Sequence, residues 1–81
     1  MSAQHRTGFF PGIVEALSTI DLSGVPGPDT MAFATGYLTG RRGLPRDPLA
    51  EELGVEGYQD GWAMGDAVRQ GKVEQPSWDR T

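Results

Sequence analysis

The sequence contains no cysteine, which removes disulfides, thiolate metal sites and cysteine nucleophiles together. Small secreted domains usually depend on such cross-links, so their absence favours a reducing cytoplasm. Histidine is almost missing too. The single one, His5, stands near the N-terminus, apart from the grouped ligands that a metal site requires. No run approaches the ~20 apolar residues of a membrane span. Met1-Ser2-Ala3-Gln4-His5-Arg6 is not followed by the apolar core of a signal peptide. A cytoplasmic location is therefore expected. Bases are the minority charge, 7 against 11 acids for a net charge of −4, and an acidic chain is a poor generic binder of nucleic acid.

Catalytic groupings are missing as well. Ser2, Ser18, Ser23 and Ser77 have no neighbouring base held by a third group. No G-x-x-x-x-G-K-[ST] phosphate loop occurs. Asp47, Glu51, Glu52 and Glu56 lack calcium-loop spacing and read as a solvated face. No catalytic residue, metal, cofactor or small-molecule substrate is expected. The chain is expected to act by binding another macromolecule.

What is present is a chain of 81 residues, 37% hydrophobic, with 12 glycines and 6 prolines. That length makes one domain. Ile13, Val14, Leu17 and Ile20 recur at helical spacing after Pro11 and predict a helix over about 11–20. Ser23-Gly24-Val25-Pro26-Gly27-Pro28 cannot continue it. Asp29 is a plausible N-cap for a helix over about 30–42, whose last turn carries Arg41 and Arg42 before a stop at Gly43. Asp47-Pro48 opens a short helical turn over about 48–53. The clearest amphipathic segment spans about 56–70, with Tyr58, Gly61, Trp62, Met64, Gly65 and Val68 on one half and Glu56, Gln59, Asp60, Asp66 and Gln70 on the other. The expected class is all-α, a domain at 11–71 between a flexible arm at 1–10 and a flexible tail at 72–81, unless Trp78 docks.

A short internal echo stands out. Gly36-Tyr37-Leu38-Thr39-Gly40 and Gly57-Tyr58-Gln59-Asp60-Gly61 both read G-Y-x-x-G, and Gly65 extends the second. Glycine inside a helix costs ~1 kcal/mol relative to alanine, so the run needs a reason. Glycines four apart share a face and let two backbones approach closely. The expectation is a tight antiparallel hairpin, with Gly36, Gly40, Gly61 and Gly65 facing one another and Tyr37, Tyr58 and Trp62 flanking the seam.

Charge is unevenly placed. Arg41, Arg42 and Arg46 form a basic cluster suited to phosphates or an acidic protein surface, or to balancing the helix dipole and pairing with Asp47 and Glu51. From Asp47 to Val68 the acids Asp47, Glu51, Glu52, Glu56, Asp60 and Asp66 occur without a base.

The order of these features resembles the bacterial ribosome modulation factors over roughly residues 31–70. The family's G-Y-x-x-G-x-x-G is matched by Gly36-Tyr37-Leu38-Thr39-Gly40-Arg41-Arg42-Gly43. A proline-containing linker follows at Pro45 and Pro48, and Gly61-Trp62 matches the Gly-Trp pair of the second family helix. The resemblance implies a two-helix regulatory protein that binds ribosomes, using Arg41, Arg42, Arg46 and exposed aromatics against rRNA or a ribosomal protein. Two other readings stand beside it. One is an acidic inhibitor or adaptor, of the kind a phage or mobile element encodes, laying Glu52, Glu56 and Asp60 into a basic groove of a host protein. The other is a structural subunit clamping neighbours through Phe9-Phe10 and Trp78.

Overall fold

The computed structural model describes residues 12–46 and 57–80. Among these are three α-helices, α1 (Ile13–Leu17), α2 (Thr30–Arg41) and α3 (Tyr58–Arg69), with a 3-10 turn at Leu22–Gly24. The extended pairing they contain is an isolated antiparallel bridge between Ile20 and Asp79. The class is all-α, as expected. The helical turn expected at 48–53 and the arm at 1–10 lie outside the described residues.

Local chemistry sets each boundary. α1 is shorter than the 11–20 that its periodicity suggests. The hydroxyls of Ser18 and Thr19 donate to the Glu15 and Ala16 carbonyls at 2.5 and 2.6 Å, competing with further helical turns. Asp29 caps α2, its Oδ1 accepting from the Ala32 N–H at 3.0 Å. Gly43, with φ 72°, ends that helix: its N–H donates to the Gly40 carbonyl and the Leu44 N–H to the Thr39 carbonyl. α3 ends in the same way at Gly71, the Lys72 N–H reaching the Ala67 carbonyl. It begins at Tyr58, not near 56, because Gly57 has a φ of 91°, outside helical space.

α2 is the central element, buried continuously from Ala32 to Gly40. One side meets α3 backbone to backbone. A Cβ on Gly36 would overlap the Tyr58 carbonyl oxygen, and one on Gly40 the Trp62 carbonyl. Reciprocally, a Cβ on Gly61 would overlap the Phe33 carbonyl and one on Gly65 the Tyr37 carbonyl. At each, a Cα–H is directed at a carbonyl oxygen, the weak hydrogen bond of close helix contacts. The glycine-faced packing is present, but its sense differs from the expectation. Along α2 the contacts run 33, 37 against 61, 65, and 36, 40 against 58, 62, so the helices are parallel. Each helix is 12 residues, about 18 Å at 1.5 Å per residue. The connection from Arg42 to Gly57 is ample to return over that distance.

Exchanging residue i with i+25 maps every one of these contacts onto another, giving the pair a pseudo-two-fold relation. The repeat is thus Phe33-x-x-Gly36-Tyr37-x-x-Gly40 against Tyr58-x-x-Gly61-Trp62-x-x-Gly65. The G-Y-x-x-G echo aligns Tyr37 with Tyr58, whereas the packing aligns it with Trp62.

The other side of α2 is covered by α1, the 3-10 turn and the C-terminal segment. Residues 72–80 pack where a flexible tail was expected. Trp78 is 9% exposed and joins Ile13, Ile20, Val25, Phe33, Ala34, Tyr37 and Leu38 in the core. Its ring stands edge-on to Tyr37 at 4.7 Å and to Phe33 at 6.1 Å. Main-chain bonds from Asp21 N–H to the Trp78 carbonyl (2.8 Å) and from Arg80 N–H to the Thr19 carbonyl (2.9 Å) pin the segment down.

Candidate functional site

Parallel packing brings both helix C-termini to one end of the molecule, and each C-terminus is basic. α2 ends in Arg41 and Arg42, with Arg46 shortly after. α3 ends in Arg69, with Lys72 after it. The register is direct: the Cβ position of Gly43, just past α2, lies 3.4–3.6 Å from the Arg69 side chain. Four of the chain's seven lysines and arginines, Arg41, Arg42, Arg69 and Lys72, therefore belong to this end, while Arg46 lies farther back, over Trp62 in the first half of α3. The negative ends of two helix dipoles converge there as well, which favours cations in both last turns.

The five cations are held differently. The Arg41 Nη1 donates to Asp79 Oδ2 at 2.6 Å, and the Tyr37 hydroxyl donates to the same oxygen. The Asp79 carboxylate is 0% exposed and the Arg41 side chain 30%, so the charge-assisted contact lies at the wall of the core. Burial pulls the Arg41 pKa down, but the hydrogen bond and charge of Asp79 more than offset this and leave it raised. Burial, then the hydrogen bond to Asp79, push the Tyr37 pKa far up. Arg69 pairs with Asp66, which also accepts from Gln70 Nε2 at 2.6 Å. Arg46 lies over the Trp62 ring, 5.4 Å from its centroid. The Trp62 indole N–H donates to the Leu44 carbonyl at 2.8 Å, holding the elbow on α3. Arg42 and Lys72 are exposed.

Beside Arg41, an open cavity of about 240 Å³ is lined, among the described residues, by Ala16, Leu38, Arg41 and Arg42.

The remaining expected site residues are placed as follows. Asp60 is exposed in the first turn of α3, at the end opposite the basic one. Glu52 and Glu56 lie outside the described residues, as do Asp47 and Glu51. Gly36, Gly40, Gly61 and Gly65 make the α2–α3 contact. Tyr58 is buried and supplies a carbonyl to it, and Trp62 flanks it. Tyr37 does not flank the seam: its ring is turned to Trp78 and Asp79 on the other side of α2. Sequence reasoning missed Asp79, Arg69 and Lys72, and named Trp78 only as the residue whose docking would order the tail. Last-turn bases were a readable signal for Arg69, but only the parallel sense puts it beside Arg41.

Among the described residues no group of three or more His, Cys, Asp or Glu is placed to hold a metal ion, and no helix is long and apolar enough to cross a membrane. In comparisons with known proteins, no family model, no curated protein and no solved structure matches the chain.

Proposed function

We propose that this chain is a small non-enzymatic regulatory protein whose basic end binds ribosomal RNA, the activity implied by its resemblance to the ribosome modulation factors. The observation that supports this reading is the collection of Arg41, Arg42, Arg69 and Lys72 at one end of a parallel helix pair, with Arg46 on the adjoining flank over Trp62. A net charge of −4 argues against phosphate binding only if charge is spread evenly, and here it is not. Local potential, not the total, governs docking to a polyanion. Arg42, Arg46, Arg69 and Lys72 are all exposed.

Sedimentation with ribosomes from a native lysate tests the reading. The chain is expected in the ribosome fractions at low salt and to leave them as salt rises. An Arg42→Ala/Arg46→Ala/Lys72→Ala variant should bind more weakly, with a salt dependence shallower by about one unit for each phosphate it no longer touches. Undiminished sedimentation of that variant would remove the basic end from the mechanism. Recovery of the chain with one non-ribosomal protein at equal amount would replace the reading with an inhibitor or a subunit.

A further inference from the structure

We propose that residues 12–26 and 72–80 form one clasp, which undocks from α2 as a unit while the α2–α3 pair stays folded. The two stretches stand at opposite ends of the described chain, yet they are joined directly to each other. The Asp21 N–H donates to the Trp78 carbonyl and the Arg80 N–H to the Thr19 carbonyl, framing the antiparallel bridge of Ile20 with Asp79. The Arg80 guanidinium reaches the Asp21 carboxylate at 3.2 Å. Gly24 sits against Trp78, whose Cβ lies 3.0 Å from the position a Cβ would take there. These contacts close a small two-part body around Trp78.

Both joints between the clasp and the helix pair are open. Gly27, with φ 96°, leads from the N-terminal part into α2, and Gly71, with φ 77°, leads from α3 into the C-terminal part. Among the described residues nothing lies within 4 Å of a Cβ built at either. Pro26 and Pro28 fix φ on both sides of Gly27 and leave the glycine as the free joint. Residues 26–29 and 71–75 are all exposed, so rotation there displaces no packed side chain.

The two sides of α2 differ in what holds them. Toward α3 the backbones touch, because Gly36, Gly40, Gly61 and Gly65 leave no room for a side chain between the helices. Toward the clasp the contact is made by side chains, and it encloses the Asp79 carboxylate, which accepts from the Tyr37 hydroxyl and the Arg41 Nη1. Desolvating a charge offsets much of what its pairing returns, so Asp79 adds less to this seam than an apolar residue of like size would. Among the described helices, α1 and the 3-10 turn also lie against α2 alone, not α3. The molecule therefore parts first between clasp and α2. Opening uncovers Phe33 and Tyr37, on which Trp78 rests, and carries a negative charge away from the last turn of α2.

Amide hydrogen exchange of the full chain, followed by NMR in urea below the unfolding transition, tests this. The Ile20, Asp21, Val25 and Arg80 amides are all hydrogen-bonded. Relative to their intrinsic rates, they are expected to exchange at least about tenfold faster than the Tyr37 and Gly65 amides inside α2 and α3. Their rates should rise with urea along one common slope, shallower than that of the helix pair, because undocking exposes less surface than unfolding. Ala63→Gly, at an exposed position in α3, separates the two units. It weakens the helix pair, so it should speed exchange at Tyr37 and Gly65 roughly fivefold and leave the clasp amides unchanged. Equal acceleration throughout would make the molecule a single cooperative unit and overturn the proposal. Fast exchange at Asp21 and Arg80, with Ile20 and Val25 as slow as the helices, would overturn it too, since the C-terminal part would then peel off alone. Clasp rates indifferent to urea would reduce the opening to local fraying, with the same consequence.

Discussion

Gly65 and Gly71 both lack a side chain, for unrelated reasons. At Gly65 the space is filled by the Tyr37 carbonyl and the Arg41 N–H, whereas Gly71 has nothing within 4 Å and is required by its φ of 77°. Gly65→Ala gains ~1 kcal/mol of helix propensity but forces two backbones apart, and should destabilise by about 2 kcal/mol or more net. Gly71→Ala meets only left-handed strain, about 1 kcal/mol. Urea melts of the two variants compare them, and a Gly65→Ala cost no larger than that of Gly71→Ala would contradict the close approach. Tyr37 makes the second prediction at this scale. Burial and then Asp79 raise its folded pKa above the ordinary 10.0, so above that pH the unfolded chain loses a proton that the folded chain keeps. Stability is full below about pH 10 and should fall as pH rises beyond it. Tyr37→Phe should cost about 1–3 kcal/mol at neutral pH, since Asp79 is deprived of a donor, and should flatten the alkaline decline. A decline equally steep in that variant would assign the effect elsewhere.

The elements owe their ends to capping and their places to one another. α1 has only five residues, too short to persist alone, and is held through Ile13 and the partly buried Ala16 and Leu17. The C-terminal segment has no regular structure of its own, yet Trp78 and Asp79 are among the buried residues. Gly24 makes room for it: a Cβ there would stand 3.0 Å from that of Trp78. Trp78→Ala should cost about 3–5 kcal/mol. A domain of this size has only about 4–12 kcal/mol in total, so a large drop in melting temperature is expected by circular dichroism. A near-normal melt would mean that the segment decorates the core instead of completing it.

For the molecule as a whole, the parallel sense of α2 and α3 is the decisive feature, because it turns two separate basic helix ends into one surface. Spin labels check it directly. Labels at exposed Arg42 and Gln70 should lie close together, and a label at Met31, 50% exposed, should lie far from Gln70. An antiparallel pair would invert the two distances, by roughly the 18 Å length of a 12-residue helix.

Features under local chemical control were legible in the chain before any fold was known. Asp29, Gly43 and Gly71 mark helix ends through caps and backbone freedom, and Gly36, Gly40, Gly61 and Gly65 announce a close helix contact because nothing else justifies glycine at four-residue spacing. The α3 face was also legible, since Gln59 and Asp60 project outward while Tyr58, Gly61 and Gly65 are buried. The direction of the contact was not. Glycine stripes of either sense look alike in one dimension, and the G-Y-x-x-G match concealed the 25-residue register that pairs Tyr37 with Trp62. Asp79, and the place where Trp78 docks, stayed hidden for a related reason. A lone aromatic and a lone acid in a polar stretch show no period, and their roles exist only against Phe33, Tyr37 and Arg41, some forty residues earlier in the chain. Those pairings, and with them the gathering of Arg69 and Lys72 beside Arg41 and Arg42, arise in the folded molecule alone. Proximity between distant segments is set by how faces fit in three dimensions, which no local pattern encodes.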